Sequence, residues 1–237
     1  MKRIIRAAAA ASAVAAAALV FVPTAGAASN GIGGCQLTGT AKFGGSGLDG
    51  PPLYGPFSYS FDGKLSNCQS SNGAPASGTV FAGEQGLNPA TGSGNCGETV
   101  SNGESVVQWA DGNYTVIHYK TQGALAAVGL AGTVVGATSE TSSVTDPTTG
   151  VTTTSPLFST NEPATPVGSS VGGALAFQPA NPNACANFAS DPPPPGVTTA
   201  SISGVIGDGN GPVAAPALPG GQLPPLPTPP VDVGPLQ

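Results

Sequence analysis

Glycine and proline divide the chain into short runs in which apolar and polar residues alternate. One such run, residues 35–43, places Cys35, Leu37, Ala41 and Phe43 on one side and polar residues on the other. A period of two residues is typical of a β-strand with one buried face and one solvated face. Beyond the N-terminal leader, no window of helical length repeats its apolar residues at helical spacing. The sequence therefore predicts an all-β fold.

The same signals predict further strands at residues 57–65, 77–84, 124–137, 172–179 and 196–207, together with the two arms of residues 106–120. Glycines within the alanine-rich run 124–137 favour a bulged, buried strand over a helix. Residues 139–170 are rich in threonine, serine and proline and are predicted to form a two-stranded excursion or a long surface loop. Short strands with frequent turns favour an antiparallel β-sandwich with long loops, formed by residues 28–210.

Both ends of the chain differ from this domain in composition. Residues 1–27 have a positively charged start, an apolar stretch and small residues at 25–27, which is the pattern of a secretory signal peptide cleaved before Ala28. The alternatives are a retained anchor, for which the apolar stretch is short, and a lipoprotein acylated at Cys35. Nine of the last 27 residues are proline, so residues 211–237 are predicted to be a disordered, proline-rich tail. The predicted location is extracellular or cell-wall associated.

Cleavage of the leader changes the charge of the chain. Three lysines, no arginine and 12 acidic residues remain, so the net charge of the mature chain is 3 − 12 = −9. Nucleic acids and anionic membrane surfaces are bound through basic faces, which three scattered lysines do not form. We therefore expect no nucleic-acid partner and no membrane association after cleavage. A cell-wall or extracellular glycan remains a candidate partner.

The four cysteines of an exported chain predict two disulfides. Matching the apolar faces of the first two strands sets Phe43 opposite Phe61 and brings Cys35 within reach of Cys68. The two remaining cysteines, Cys96 and Cys185, lie in loops and are left to each other. No cysteines are spaced as C-x-x-C and the chain has one histidine, so neither a metal site nor a cofactor is predicted.

Residues 105–118 contain a hairpin signal, because "DG" at Asp111 and Gly112 suits a two-residue turn between alternating arms. This turn pairs Trp109 with Tyr114 and Ser105 with His118. A histidine beside a serine resembles part of a hydrolase triad, but no nucleophile elbow and no orienting carboxylate accompany it. The sequence therefore predicts that His118 is a structural, hydrogen-bonded strand residue.

Trp109 and Tyr114 are the candidate binding residues of the chain. If the predicted pair is exposed, the two aromatic rings could stack on a sugar. If the pair is buried, it stabilises the hairpin. The valines predicted on the same face favour burial.

Pairs of carboxylates could support glycoside hydrolysis without a histidine. The candidates are Asp62, Glu84, Glu98, Glu104 and Asp111, and the sequence does not place any two of them at a catalytic separation. The "DGN" segments at 111–113 and 208–210 do not continue into a calcium-binding loop and are predicted to be turns.

The segments "GTAKFG", "FSYSFDGKLSNCQS", "SGTVFAGE" and "VVQWADGNYTVIHY" resemble small secreted β proteins of actinobacteria. This resemblance covers most of the predicted domain and brings no catalytic residues with it. The leading hypothesis is a secreted, disulfide-braced, non-enzymatic module for binding or for building the cell envelope. The alternative is a secreted, glycosidase-like hydrolase that uses a carboxylate pair.

Overall fold

The computed structural model describes residues 34–49, 53–69, 73, 75–124, 126–185 and 195–208. The predicted signal peptide at 1–27 and the predicted tail at 211–237 lie outside the described residues. No helix within those ranges is long and apolar enough to cross a membrane.

The described part of the chain contains eleven strands and one short 3-10 helix at Pro182–Cys185. The strands are β1 (Cys35–Phe43), β2 (Gly55–Ser66), β3 (Gly78–Ala82), β4 (Ala90–Asn95), β5 (Glu98–Trp109), β6 (Tyr114–Ala124), β7 (Ala127–Val135), β8 (Thr141–Thr145), β9 (Thr152–Pro156), β10 (Ser170–Pro179) and β11 (Thr199–Asp208). The prediction of an all-β fold is confirmed. The glycine-rich strand β4 is not among the predicted strands.

The predicted β-sandwich is wrong, because the strands close into a single barrel. Strand β1 pairs with β2 along one edge and with β11 along the other, so that the first and last strands join the ends of the sheet. The order around the barrel is β1, β2, β3, β5, β6, β7, β10 and β11, with every neighbouring pair antiparallel. Closure removes the free edges that an open sheet would present to solvent.

Two strands, β3 and β4, lie between β2 and β5 in the barrel wall. Strand β3 pairs with one half of β2 and of β5, and β4 pairs with the other half of the same two strands. The two therefore lie end to end, interrupted by residues 83–89. Two of these residues, Gly83 and Gly86, have φ of 64° and 93°, a conformation that glycine adopts without steric cost.

The side chains inside the barrel form the main core. Alternate residues of each barrel strand point inward. Sixteen buried residues form one hydrophobic cluster, which includes Leu37, Leu65, Val107 and Ile117. The ring of Phe61 lies across the inward positions of neighbouring glycines, because a Cβ built at Gly39 would be 2.5 Å from its Cζ atom. Glycine at these positions leaves room for a large side chain on the adjacent strand.

A second core lies outside the barrel. Residues 136–169, which include the exposed β8–β9 hairpin, cross the outer face of β5 and β6. Phe158 of this excursion packs against Phe81 at 5.3 Å and against Tyr114 at 5.5 Å between ring centroids. The excursion thereby covers the outward-facing Val106 and Val116.

The turn between β5 and β6 is longer than predicted by one residue. The amide of Trp109 donates to the carbonyl of Asn113 at 2.8 Å, which makes the loop Ala110, Asp111 and Gly112. Gly112 has φ of 91°, as the last residue of a three-residue loop of this kind requires. The predicted pairs are therefore wrong by one residue: Tyr114 lies opposite Gln108, and His118 lies opposite Glu104. A shift of one residue moves a side chain to the other face of the sheet.

The structure contains the disulfides Cys35–Cys68 and Cys96–Cys185, the two pairs that the sequence predicts. The predicted β1–β2 register, from which the pair Cys35–Cys68 is inferred, is wrong by two residues, because Ala41 and not Phe43 lies opposite Phe61. A displacement by two residues keeps each side chain on its face. Cys35 therefore still lies beside the end of β2.

Candidate functional site

The inward-facing side chains are not equally buried along the barrel. At one end Trp109 and Val171 are 2% and 5% exposed. At the other end, the inward-facing Thr99 and Phe177 on the same two strands are only half-buried. We call these the Trp109 end and the Cys96 end. The interior is therefore more tightly packed at the Trp109 end and more accessible to water at the Cys96 end.

A cavity of about 130 Å³ lies in the interior, and its lining extends from Thr99 and Phe177 at the Cys96 end to Val107 and Val171 deeper in the barrel. Four aromatic rings form much of its wall, with Phe43 at the centre of the group. The centroid of the Phe43 ring is 5.8 Å from those of Phe57 and Tyr59 and 6.1 Å from that of Phe177. Aliphatic side chains from the opposite strands complete the wall, namely Val128, Leu130, Leu175 and Ile202. The wall is thus mainly apolar.

Four hydroxyl groups meet inside this apolar wall. The hydroxyl of Tyr59 lies 3.0 Å from that of Tyr119 and 3.1 Å from that of Ser101. Ser101 is in turn hydrogen-bonded to Thr121 across the β5–β6 pair, at 2.5 Å. We call these four residues the hydroxyl chain. All four line the cavity, so the chain provides a polar group at a defined place in an apolar pocket.

Glycine makes room for the hydroxyl chain. Gly103 lies opposite Tyr119 on β5. A Cβ atom built at Gly103 would be 2.9 Å from the Tyr119 hydroxyl oxygen and 2.6 Å from the Cβ of Ala90. Any larger residue at this position would have to displace the tyrosine.

The hydroxyl chain is electrically neutral. Burial raises the pKa of Tyr59 above its ordinary value, and burial together with the neighbouring Tyr59 also raises the pKa of Tyr119. Both phenols therefore keep their protons at physiological pH. The described residues that line the cavity include one carboxylate, Glu98, and no lysine, arginine or histidine.

The Cys96 end is covered in part by loops. The disulfide Cys96–Cys185 joins the β4–β5 turn to the 3-10 helix, and an isolated bridge joins Leu48 to Val197. These residues pack with Ala184 and Ala200 into a small cluster against the rings of the cavity wall. Glu98, which is exposed and lines the cavity, lies at this end.

The predicted binding residues Trp109 and Tyr114 do not form one surface. Trp109 points into the barrel, where its Nε1 donates to the hydroxyl of Thr115 at 2.8 Å. Tyr114 points outward, is half-buried and packs on Phe158. Because the two rings lie on opposite faces of the sheet, the predicted cross-strand pair does not exist. Trp109 closes one end of the barrel and is not among the residues that line the cavity.

The surroundings of His118 also differ from those predicted. It lies on the outer face, where its Nε2 is 2.6 Å from Oε2 of Glu104, its cross-strand neighbour. The predicted neighbour Ser105 points to the inside of the barrel. The predicted serine–histidine pair is therefore absent.

Glu104 is buried on the outer face and interacts with a second carboxylate. The backbone amide of Ser139 donates to both oxygens of Glu104 at 3.2 and 3.3 Å, and the Ser139 hydroxyl donates to Glu140 at 3.0 Å. Burial, with a contribution from Glu140, raises the pKa of Glu104. Burial opposes the ionisation of Glu140, but hydrogen bonds from the Asn88 amide and from Ser139 outweigh it and lower its pKa.

The five carboxylates considered for hydrolysis lie on several elements. Glu98 and Glu104 are on one strand, six residues and thus about 20 Å apart, beyond the separation that glycosidases use. Glu84 forms an ion pair with Lys42 at 3.2 Å. Asp111 lies in the exposed turn, where it accepts a hydrogen bond from the Asn113 amide at 3.0 Å. Asp62 is exposed on the outer face of β2.

A shallow depression of about 620 Å³ lies on the barrel surface over β4, β5, β6 and β7. Its lining mixes short polar residues, such as Ser93 and Asn102, with glycine and aliphatic residues, such as Val100 and Leu130, and Lys120 and Gln122 have its longest polar side chains. Among its described lining residues there is no aromatic ring on which a sugar could stack. No group of three potential metal ligands occurs among the described residues.

The residues of the hydroxyl chain are not among the site residues predicted from sequence. Alternation alone places Tyr59 on the apolar face of its strand and separates it from Ser58 and Ser60. This signal indicates a buried tyrosine hydroxyl that needs a partner. It does not indicate that the partners lie on β5 and β6.

Comparisons of the chain with protein-family models, with curated proteins and with solved structures found no match. The geometry of the barrel and its cavity is therefore the basis for assigning a function.

Proposed function

We propose that this protein is a secreted, non-enzymatic binding protein that holds a small, mainly apolar molecule inside its barrel. The observation that carries the proposal is the water-accessible cavity, with its apolar wall and its convergent hydroxyls. Barrels of eight strands have interiors just wide enough to be filled by side chains or to hold one small ligand. Here the side chains leave a cavity inside the barrel.

The size of the cavity sets the size of the ligand. Apolar protein cavities of about 150 Å³ bind benzene, and the volume here is about 130 Å³. We therefore expect a molecule, or the buried end of a longer molecule, with roughly six to eight non-hydrogen atoms. The two disulfides suit a protein that works in an oxidising extracellular place.

The hydrolase alternative has less support. Glu104 and Glu140 have pKa values shifted in opposite directions, as an acid and a base require. However, both lie on the outer face, and neither lines the barrel cavity or the surface depression. A substrate bound in either place would not meet this pair.

Thermal unfolding with a small apolar probe tests the proposal. A ligand that binds only the folded state raises Tm with its concentration, and toluene has the required size. Ile202→Trp places a large ring in the cavity wall, whereas Val205→Trp on the same strand places it on the exposed outer face. The second variant controls for the general effect of a new tryptophan.

We expect toluene to raise the Tm of the wild-type protein and of Val205→Trp, and to leave the Tm of Ile202→Trp unchanged. An equal effect on all three proteins, or no effect on the wild type, would contradict the proposal.

A further inference from the structure

We infer that the ligand of the barrel is a neutral molecule with a hydroxyl or similar hydrogen-bond donor, which it places against the hydroxyl chain. This inference rests on the proposed function, and it names the chemical class of the ligand. It follows from the balance of donors and acceptors in the chain, from the charges around the cavity and from the positions of its apolar and polar walls.

The hydroxyl chain has more acceptor capacity than donor capacity left for a ligand. Its four hydroxyls have four hydrogens and eight lone pairs in total, since each contributes one hydrogen and two lone pairs. The three hydrogen bonds of the chain use three hydrogens and three lone pairs. At most one hydrogen but several lone pairs therefore remain for a ligand. A group that donates, and accepts at most once, matches this surface.

The charges around the cavity exclude an anionic ligand group. A carboxylate accepts several hydrogen bonds and donates none, so the hydroxyl chain would satisfy it poorly. The described lining residues include no cation to compensate a negative charge, and Glu98 at the Cys96 end would repel it. Transfer of an unpaired charge into an apolar site is strongly unfavourable.

The positions of the walls give the ligand a direction. Thr99 lies at the Cys96 end, and Ser101 lies two residues deeper on β5. A ligand that comes from this end passes the rings of Phe57 and Phe177 before it reaches the hydroxyl chain. The lining continues beyond the chain to Val107, Ile117 and Val171, so the donor group lies partway along the cavity and the rings hold an apolar part of the ligand on the Cys96 side of it.

The test compares phenol with toluene, which have the same shape and number of non-hydrogen atoms. Their dissociation constants are measured by calorimetry for the wild-type protein and for the double variant Tyr59→Phe/Tyr119→Phe, which keeps both rings. Thr121→Val, which keeps the size of its side chain, is a second variant that disturbs the packing less. Benzoate is the anionic probe.

We expect the double variant to bind phenol about tenfold more weakly, the equivalent of one or two hydrogen bonds, and to bind toluene with nearly unchanged affinity. Thr121→Val should weaken phenol binding in the same direction by a smaller factor. Benzoate should not bind the wild-type protein.

Two results would overturn the inference and leave the proposed function standing. In the first, toluene binds the wild-type protein, and neither variant changes the affinity for phenol. The other is benzoate binding as tight as that of phenol. If neither phenol nor toluene binds the wild-type protein, the proposed function itself is wrong.

Discussion

The hydroxyl oxygens of Tyr59 and Tyr119 lie 3.0 Å apart, although β2 and β6 are separated around the barrel by β4 and β5. The contact therefore crosses the interior and does not run along the sheet. Each of the two buried tyrosine hydroxyls thereby has the other as a hydrogen-bond partner in an apolar environment. Under the proposed function, stability and ligand binding both depend on this pair of atoms.

This relationship predicts an energetic coupling between the two tyrosines. In a double-mutant cycle with Tyr59→Phe and Tyr119→Phe, the free energy of unfolding should show a coupling of about 0.5–1.5 kcal/mol, the net contribution of one hydrogen bond. Chemical denaturation of the four proteins measures it. Strictly additive effects would mean that the two hydroxyls do not interact in solution.

The close approach of Gly103 to Tyr119 predicts that even one methyl group is harmful there. Gly103→Ala should lower stability by about 1–3 kcal/mol, because the new Cβ overlaps the tyrosine hydroxyl and Ala90. Gly129→Ala is the matched control, since the nearest atom to its Cβ would be 3.7 Å away. The control should change stability by less than about 0.5 kcal/mol. Equal effects in urea unfolding would contradict the packing described for Tyr119.

The position of Trp109 predicts a structural role and no role in binding. Trp109→Ala should cost about 3–5 kcal/mol, because it opens a cavity in the core and removes the hydrogen bond to Thr115. Trp109→Phe keeps an aromatic ring and should be less harmful. Toluene should still raise the Tm of Trp109→Phe, because the tryptophan is not among the residues that line the cavity. Loss of that response at retained stability would make Trp109 part of the binding site.

The carboxylates on the outer face predict opposite dependences of stability on pH. The pKa of Glu104 is raised on folding, so its favourable contribution is present at acid pH and is lost as the pH rises through its folded pKa. The pKa of Glu140 is lowered, so its contribution is present above its unfolded pKa and is lost as the pH falls through its folded pKa.

Thermal unfolding at pH 4 and pH 7 separates the two carboxylates. For Glu104→Gln, the Tm of the variant minus the Tm of the wild type should be more positive at pH 7 than at pH 4. Glu140→Gln should show the reverse. If Glu104→Gln loses more stability at pH 7 than at pH 4, the attraction to His118 dominates and the burial of Glu104 does not.

Local features of the fold were predictable from sequence, whereas its closure was not. The alternation in residues 35–43 defines β1 and its inward face, and that face is the same in a sandwich and in a barrel. What distinguishes the two is the pairing of β1 with β11, which brings Ala41 opposite Ala200. This contact joins the two ends of the domain, and no local pattern specifies it.

The candidate site depended on the same kind of information. The turn signal at Asp111 located the β5–β6 hairpin correctly, but one added loop residue moved His118 from Ser105 to Glu104. Each residue of the hydroxyl chain is an ordinary residue of its own strand. The β5–β6 pairing places Ser101 beside Thr121, and the curvature of the barrel wall from β2 to β6, which no local pattern specifies, brings Tyr59 and Tyr119 to them.

A crystal structure of the protein soaked with 4-bromophenol tests the binding role of the barrel most directly, because the anomalous signal of bromine locates the ligand. We predict one bromine site among the rings of Phe43, Phe57 and Phe177, with the phenol oxygen within hydrogen-bond distance of the hydroxyl chain. Bromine sites only on the outer surface, with the cavity filled by water or by rearranged side chains, would contradict a ligand-binding barrel.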